Sequence, residues 1–506
     1  MIISPDYDSF ARAYELGQPQ ILSTRLVADL ETPVSAKLKL ARNARYSFLL
    51  ESVEGGAVRG RYSIIGLNPD LIWKVEGGKA SVNRKAGINP QGPFEETGLA
   101  PLQSLRALLA ESRIKLPEDA PPMAAGVFGY MGYDMVRLME DLPAPNPDTL
   151  GLPDAVLIRP TIMAIFDSVK DEVTVTSPVY PEASVTARAA YVRAQERLSE
   201  IVDALDRPLD HRALKETDAS PIGSPRSNTS PEEYKAMVLK AKEHIAAGDI
   251  FQVVLSQRFE TEFTLPPFAL YRSLRRVNPS PFLYYLDFDS FSVIGSSPEI
   301  LVRVRDGKVS IRPIAGTRRR GATPAEDRAL AEELLADAKE RAEHLMLLDL
   351  GRNDVGRVAD IGTIQVTEKF FLEYYSQVMH IVSNVEGRLA KKYDTIDALV
   401  AGFPAGTVSG APKVRAMEII DDLEKNKRGV YAGCVGYFSA DGEMDTCIVL
   451  RTAIVKDGKM YVQAGAGVVA DSVPESEHQE CVNKAKALFR AAEEAVRFAG
   501  RAGRAQ

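Results

Sequence analysis

AGAGVVADSVPESEHQE, residues 464–480, runs from an apolar alternating segment into a helix whose first turns carry acids. The period changes from two to 3.6 along it, which marks a strand followed directly by a helix. Gly465 and Gly467 let backbone N–H groups come close to an anion, but a tight strand-to-helix turn asks for the same glycines. Ser472-x-x-Glu475 has the form of a helix start, and Cys481, Val482, Leu488 and Phe489 then recur at helical spacing. Glu477 and Glu480 stand three apart, so both carboxylates share one face. KERAEH, residues 339–344, repeats the spacing with Glu340 and Glu343. Paired like charges destabilise a helix face unless a cation sits between them. Hard oxygen ligands of this kind suit Mg²⁺, which takes one or two protein carboxylates and leaves room for an anionic substrate. Two solvated acidic faces are the alternative.

The 506 residues are 45% hydrophobic and 26% charged, ordinary for a globular protein. A net charge of −7 argues against bulk nucleic-acid binding. No apolar run is long enough for a membrane helix, and MIISPDYDSF has neither the basic nor the apolar region of a secretory signal. Three cysteines make no disulfide framework, so a cytoplasmic location is expected.

Three regions are expected. Residues 1–205 read as mixed strands and helices, among them a helix from Ser184 to Leu205. Residues 206–230 are rich in Pro and Ser and read as a linker. Ser230-Pro231-Glu232-Glu233 opens the third region, 231–495, with a capping box and Pro at the first helical position. In it, Asp441-Gly442 and Asp457-Gly458 read as hairpin turns. Thr323-Pro324-Ala325-Glu326 opens a helical stretch towards Gly351.

Other residues carry chemistry less distinctly. Glu299, in SSPE at a turn after a strand, is a proton donor if desolvated and a cap otherwise. Arg451 lies in an apolar strand and calls for a carboxylate partner. His380, among apolar residues, is more ordinarily a satisfied core histidine. Cys434 lies in an apolar run and reads as packing. No GxGxxG or GxxxxGK[ST] occurs.

DLGRNDVGRV (349–358), SQVMHIVS (376–383), AGFPAGTVSGAPK (401–413), RGVYAGCVGYF (428–438) and AGAGVVADSVPESEHQE occur in order. Together they resemble the signatures of the chorismate-utilising enzymes, strongly over 229–492. The N-terminal third resembles the matching region of the anthranilate synthase component I family. The resemblance implies an α/β fold of α+β type, with two large antiparallel β-sheets packed as a sandwich and flanked by helices. It implies Mg²⁺ held by Glu343 and Glu480, with Glu340 and Glu477 reaching it through water. It implies chorismate held by Gly465, Ala466 and Gly467 at one carboxylate, by Tyr431 and Arg451 at the other, and by Gly316 and Thr317. Glu299 matches the general acid, His380 the histidine of the pyruvate-forming step, and Thr407 the threonine of the PAGTVSG loop.

Two positions separate branches of the family. Gln252 stands where water-using relatives resemble one another in having a Lys base. Ala315 stands where aminodeoxychorismate synthases carry a nucleophilic Lys. Both favour direct attack by ammonia at ring carbon 2, giving anthranilate and pyruvate as the first committed step towards L-tryptophan. Aminodeoxychorismate synthase component I and a catalytically silent anion-binding relative are the alternatives. Glutaminase sequence is absent, which implies a separate glutamine amidotransferase subunit (component II) in a heterotetramer. The resemblance also implies L-tryptophan as feedback inhibitor, at Ser52 in LLES and at Pro281, Phe282 and Leu283 in NPSPFLYY; plain sheet packing is the alternative there.

Overall fold

The structure, a computed structural model, describes residues 1–41, 44–54, 58–209, 220–375 and 378–499. Residues 210–219 of the expected linker lie outside these residues. Among them, every strand ladder is antiparallel.

Three apolar cores explain the layering. The inner one holds Phe48, Ile64, Phe128, Tyr130, Tyr284 and Tyr437, all from strands, and no helical residue contributes to it. Helices cover the two outer cores. One takes Ala187–Asp206, Pro267–Val277 and Pro474–Ala499; the other takes Pro101–Glu111, Ala338–Gly356 and Thr395–Gly402. Sheets therefore face one another across the inner core and carry helices outside, a sandwich of α+β type. This is why strands such as AVLIRPTIMAIFD are apolar at nearly every position: both faces are covered. Along Ala155–Asp167, Val156 and Ile158 face the inner core, and further on Met163 and Ile165 do. The face switches at Pro160, where the ladder with Val58–Glu76 shifts register between Pro69 and Leu71.

Strands from both ends of the chain interleave. Ser47–Glu54 pairs with Phe282–Asp287, and Gly126–Met131 with Cys434–Ser439. The second half is closed by the ladder of Gln252–Glu262 with Lys459–Val468. Asp457 and Gly458 both have positive φ in the hairpin before that last strand, as its tight turn requires.

The capping box at Ser230 and Glu233 forms as expected, and the helix expected at 184–205 runs Ala187–Asp206 from a Thr186 cap. Two expectations change. The stretch from Thr323 is two helices, Pro324–Ala336 and Ala338–Gly356. Asp337 leaves helical geometry and caps the second with its carboxylate, which turns the Glu340/Glu343 face. The last helix starts at Pro474, and Ser472 instead accepts the Val469 N–H at the strand end.

Phe128 is fully buried and stacks on Phe48 with ring centroids 4.7 Å apart. Phe128→Ala is expected to lower stability by about 3–5 kcal/mol. Guanidinium unfolding, followed by fluorescence of the single tryptophan, buried Trp73, measures this; a loss below 1 kcal/mol, roughly a surface substitution, would contradict an inter-sheet core.

Candidate active site

The ladder of Gln252–Glu262 with Lys459–Val468 forms the floor of the site. Gly465 and Gly467 lie inside the second strand, opposite Ser256 and Val254, in keeping with a strand that runs up to the last helix; the tight turn was the alternative. Their lack of a side chain is used for close approach. A Cβ at Gly467 would run into Gln252 Nε2, and one at Gly465 would come within 2.8 Å of the Tyr431 hydroxyl. The neighbouring strand Thr452–Lys456 pairs only as far as Val462. Beyond it the edge at Gly465, Ala466 and Gly467 has no ladder partner among the described residues. An unpaired strand edge presents alternate N–H groups, so anion-binding donors arise here from an edge and not from a turn. Gln252 is buried, with its amide oxygen lacking a hydrogen-bond partner. That oxygen is left able to accept a hydrogen bond from a further donor.

Glu299 leaves the strand Phe291–Ser297 at Pro298 and is buried. Burial pushes its carboxyl up to about 8, against the opposing pull of the Thr407 hydroxyl and the Arg451 charge. Thr407 Oγ1 donates to Glu299 Oε1 at 3.1 Å. His380 is buried on the strand Val378–Arg388, its Nδ1 lying 3.0 Å from Thr317 Oγ1. Its Nε2 has no partner. Burial, and then the Arg451 charge, hold His380 down to about 4, so the imidazole is neutral at physiological pH. Arg451 has φ +48° and, contrary to expectation, pairs with no carboxylate among the described residues. Burial lowers its pKa, and Tyr375 and Glu299 partly restore it. An unpaired, half-buried guanidinium beside a protonated acid is a receptor for an anion.

The four paired acids converge from two helices. Glu343 lies close enough to Glu340 and Glu480 that burial and both charges raise its pKa; Glu477 is raised by burial and by Glu480. Among the described residues they form no closed metal cage. Glu340 is held by Arg318 at 2.9 Å and Glu480 by Lys484 at 2.7 Å. Lys484 also donates to the Gly465 carbonyl at 2.9 Å, tying the acids to the strand edge. Gly316, at φ +78°, faces Glu340: a Cβ there would lie 3.2 Å from Glu340 Oε2. Arg318 is the first of the three arginines of PIAGTRRRG, residues 313–321, which read as a strand end or a solvated basic turn; sequence reading did not single out Lys484, and the i,i+4 spacing of Glu480 and Lys484 is the signal that finds it. Cys434 is packing, as expected, its thiol pushed up to about 12 by burial.

Ser52, Pro281, Phe282 and Leu283 stand apart from this cluster. They line a separate cavity of about 940 Å³. Ser52 is directly opposite Phe282 in the ladder, so residues far apart in sequence meet on one wall. Gly60 makes room for the serine, since a Cβ there would overlap Ser52. Pro298 and Ile300, on either side of Glu299, line the same cavity, as does Tyr375, whose ring packs edge-on against His380 at 5.4 Å.

The family model described as chorismate binding enzyme matches residues 48–490. The chain belongs to that family, and within it to the anthranilate synthase component 1 family. Anthranilate synthase component 1 of Cereibacter sphaeroides is 61% identical, over 98% of this chain and 99% of its own length. That of Pseudomonas aeruginosa is 48% identical over 93% of this chain and 94% of its own. The crystal structure of anthranilate synthase component I from Streptococcus pneumoniae superposes with a TM-score of 0.75 at 39% identity, covering 85% of this chain and 92% of that one. The isochorismate synthase MenF of Escherichia coli shares the fold alone, with a TM-score of 0.70 at 19% identity and coverage of 96% and 100%. The chain is thus a chorismate-utilising enzyme with the expected α+β architecture.

The Glu299 carboxyl gives a pH test. It holds its proton up to about 8 in the fold but ionises near 4.5 when free. Between those values the folded state binds one more proton than the unfolded chain, so this group's contribution to stability falls as pH rises. Glu299→Gln removes that slope. The variant should gain on wild type by a few kcal/mol between about pH 5 and pH 9. Guanidinium unfolding at both pH values measures it; an unchanged difference would show an ordinary, hydrated carboxylate.

Proposed function

We propose that this chain is the synthase subunit of an anthranilate synthase, a lyase that converts chorismate and ammonia to anthranilate, pyruvate and water. The observation that carries the reading is Gln252, buried against Gly467 with its amide oxygen unpartnered. An amide accepts a hydrogen bond from neutral ammonia but cannot deprotonate water, and Ala315 offers no competing nucleophile. The names of the full-length relatives support the same activity.

In this mechanism the Arg451 guanidinium and the Tyr431 hydroxyl hold the enolpyruvyl carboxylate, and the strand edge at Gly465–Gly467 holds the ring carboxylate. Gly316 and Thr317 flank the ring. Ammonia, oriented by Gln252, adds at ring carbon 2. The ring double bonds shift, and the hydroxyl leaves as water with the proton of Glu299. Thr407 fixes the reactive oxygen of that acid, and burial keeps it protonated at neutral pH. In the second step ring carbon 2 loses its proton and the ether bond breaks. The enolpyruvyl methylene gains a proton, pyruvate departs, and the ring becomes aromatic. The neutral His380, with a free Nε2, stands where this proton moves.

The acid set fits Mg²⁺: hard oxygens raised at Glu343 and Glu477 by burial first and then by mutual repulsion, both of which a divalent cation offsets. Glu343 and Glu480 would hold it, with Glu340 and Glu477 behind them, and bound Mg²⁺ would supply charge neutralisation at the ring carboxylate. Arg318 and Lys484 give partial neutralisation without it. A separate glutamine amidotransferase subunit supplies the ammonia, in a cytoplasmic assembly. Among the described residues no helix is long and apolar enough to cross a membrane. The cavity at Ser52 and Pro281–Leu283 takes L-tryptophan as feedback inhibitor. Chemistry thus sits with residues 231–495, while the regulatory cavity is shared: Leu50–Ser52, Arg61, Tyr62, Ile64 and Met123 come from residues 1–205 and the rest of its wall from the second half.

Two outcomes are expected. The purified chain should release fluorescent anthranilate from chorismate with Mg²⁺ and ammonium but not with glutamine, and EDTA or Glu480→Ala should lower the rate by about a hundredfold or more. Turnover with glutamine alone, or full activity of Glu480→Ala in EDTA, would contradict the assignment. Ser52→Phe should weaken tryptophan inhibition by about tenfold or more with chorismate turnover largely kept. Superimposable inhibition curves for variant and wild type would make Ser52 ordinary packing.

A further inference from the structure

Three segments carrying proposed site groups meet at one buried ion pair. Arg428 and Glu424 are buried, with side chains 1% and 4% exposed, one helical turn apart in sequence. Arg428 donates Nε to Glu424 Oε2 at 3.0 Å and Nη2 to Oε1 at 2.6 Å. Its other bonds leave the pair. Nη1 donates to the Val408 carbonyl at 2.7 Å, and Nη2 to the Val254 carbonyl at 2.6 Å. Its planar face lies over the rings of Tyr133 and Tyr431, at 4.8 and 5.5 Å from the centroids. Glu424 Oε1 accepts both the N–H and the hydroxyl of Ser256, at 2.8 and 2.9 Å. Ser256 is the ladder partner of Gly465.

Each partner adjoins a chemical group. Val408 follows Thr407, which bonds the carboxyl of Glu299. Val254 is two residues from Gln252 on the same strand. Tyr431 is itself a proposed carboxylate ligand. Burying two ions is expensive in desolvation, and an apolar pair of similar volume often stabilises a fold as well. What an apolar pair cannot supply is a planar fork that fixes two carbonyls and two rings at once.

We propose that Arg428, locked by Glu424, is a positioning residue for the reaction. It sets the Gln252 strand and the Thr407 loop in register, so that the ammonia-binding amide and the acid at Glu299 face the same ring. The inference rests on the assignment of chorismate amination above. Lysine at 428 keeps the charge but, as a point donor, cannot hold Val408, Val254 and Glu424 together. Misplacement by about an ångström is enough to slow both steps. It should also let the aminated intermediate, still carrying its enolpyruvyl group, escape before pyruvate is eliminated.

The test uses the full chain with chorismate, Mg²⁺ and ammonium. Anthranilate and the released aminated intermediate are separated by chromatography, and rates are normalised to folded protein by Trp73 fluorescence. A merely structural loss lowers both products together and leaves their ratio alone. Arg428→Lys should lower kcat about tenfold or more and raise the intermediate's share of product, with a smaller change in the KM for chorismate. Unchanged kcat and product ratio in folded Arg428→Lys would overturn the proposal. If that variant does not fold, Glu424→Gln decides, because it keeps the shape of the side chain and removes the charge that locks the guanidinium: a raised intermediate share supports positioning, an unchanged ratio overturns it. Wild type run in parallel separates the two readings, since wild type that forms no anthranilate sinks the functional assignment itself.

Discussion

The ladder between Gln252–Glu262 and Lys459–Val468 is the constraint on which the site depends. It joins the first and last strands of the second half of the chain, so it closes only when everything between has folded. Gly465 and Gly467 keep its surface bare where Tyr431 and Gln252 must approach. Side chains at those two positions would lift both groups off the strand. The bare edge beyond Val462 supplies backbone donors, and the helix that follows delivers Glu477, Glu480 and Lys484 to the same place. One strand and one helix thus bring donors, acids and a cation within reach of one small anion.

Charge at this site is balanced by proximity and burial more than by conventional pairs. Arg451 is left without a carboxylate, while Glu299 next to it is kept protonated and His380 neutral by burial. Had Arg451 found the partner expected for a cation in an apolar strand, an incoming anion would have to displace it. Stabilising ion pairs lie one layer back. Lys413 with Asp354, at 3.0 Å, ties the APK segment to the helix of DLGRND, and Arg428 with Glu424 ties the floor to the PAGTVSG loop. The motif residues that look most polar in sequence are therefore of two kinds: unpaired groups facing the site, and satisfied pairs behind it.

The cavity at Ser52 shares a wall with this arrangement. Pro298 and Ile300 line it while Glu299 between them faces the Thr407 hydroxyl. A ligand there acts on catalysis only if it binds two positions of that wall with different affinity.

Much of this was legible along the chain, for local reasons. Capping at Ser230, the hairpin at Asp457-Gly458, the acidic pairs and the order of motifs depend on residues a few positions apart, and they formed as read. Misreadings were local signals overruled by neighbours. Asp337 broke one expected helix into two because its carboxylate caps better than it continues. The last helix starts at Pro474 because Ser472 is taken up by the Val469 N–H. Sequence alone determined the α+β class, the family and the candidate chemistry, since period, turn residues and motif order are properties of the chain. Only the tertiary structure decided which groups are charged, which lack partners, and which distant residues share a wall. Burial, pairing and field strength depend on what else is packed nearby, and that is set by contacts such as Glu299 with Thr407 and Ser52 opposite Phe282, between residues 108 and 230 positions apart in the chain.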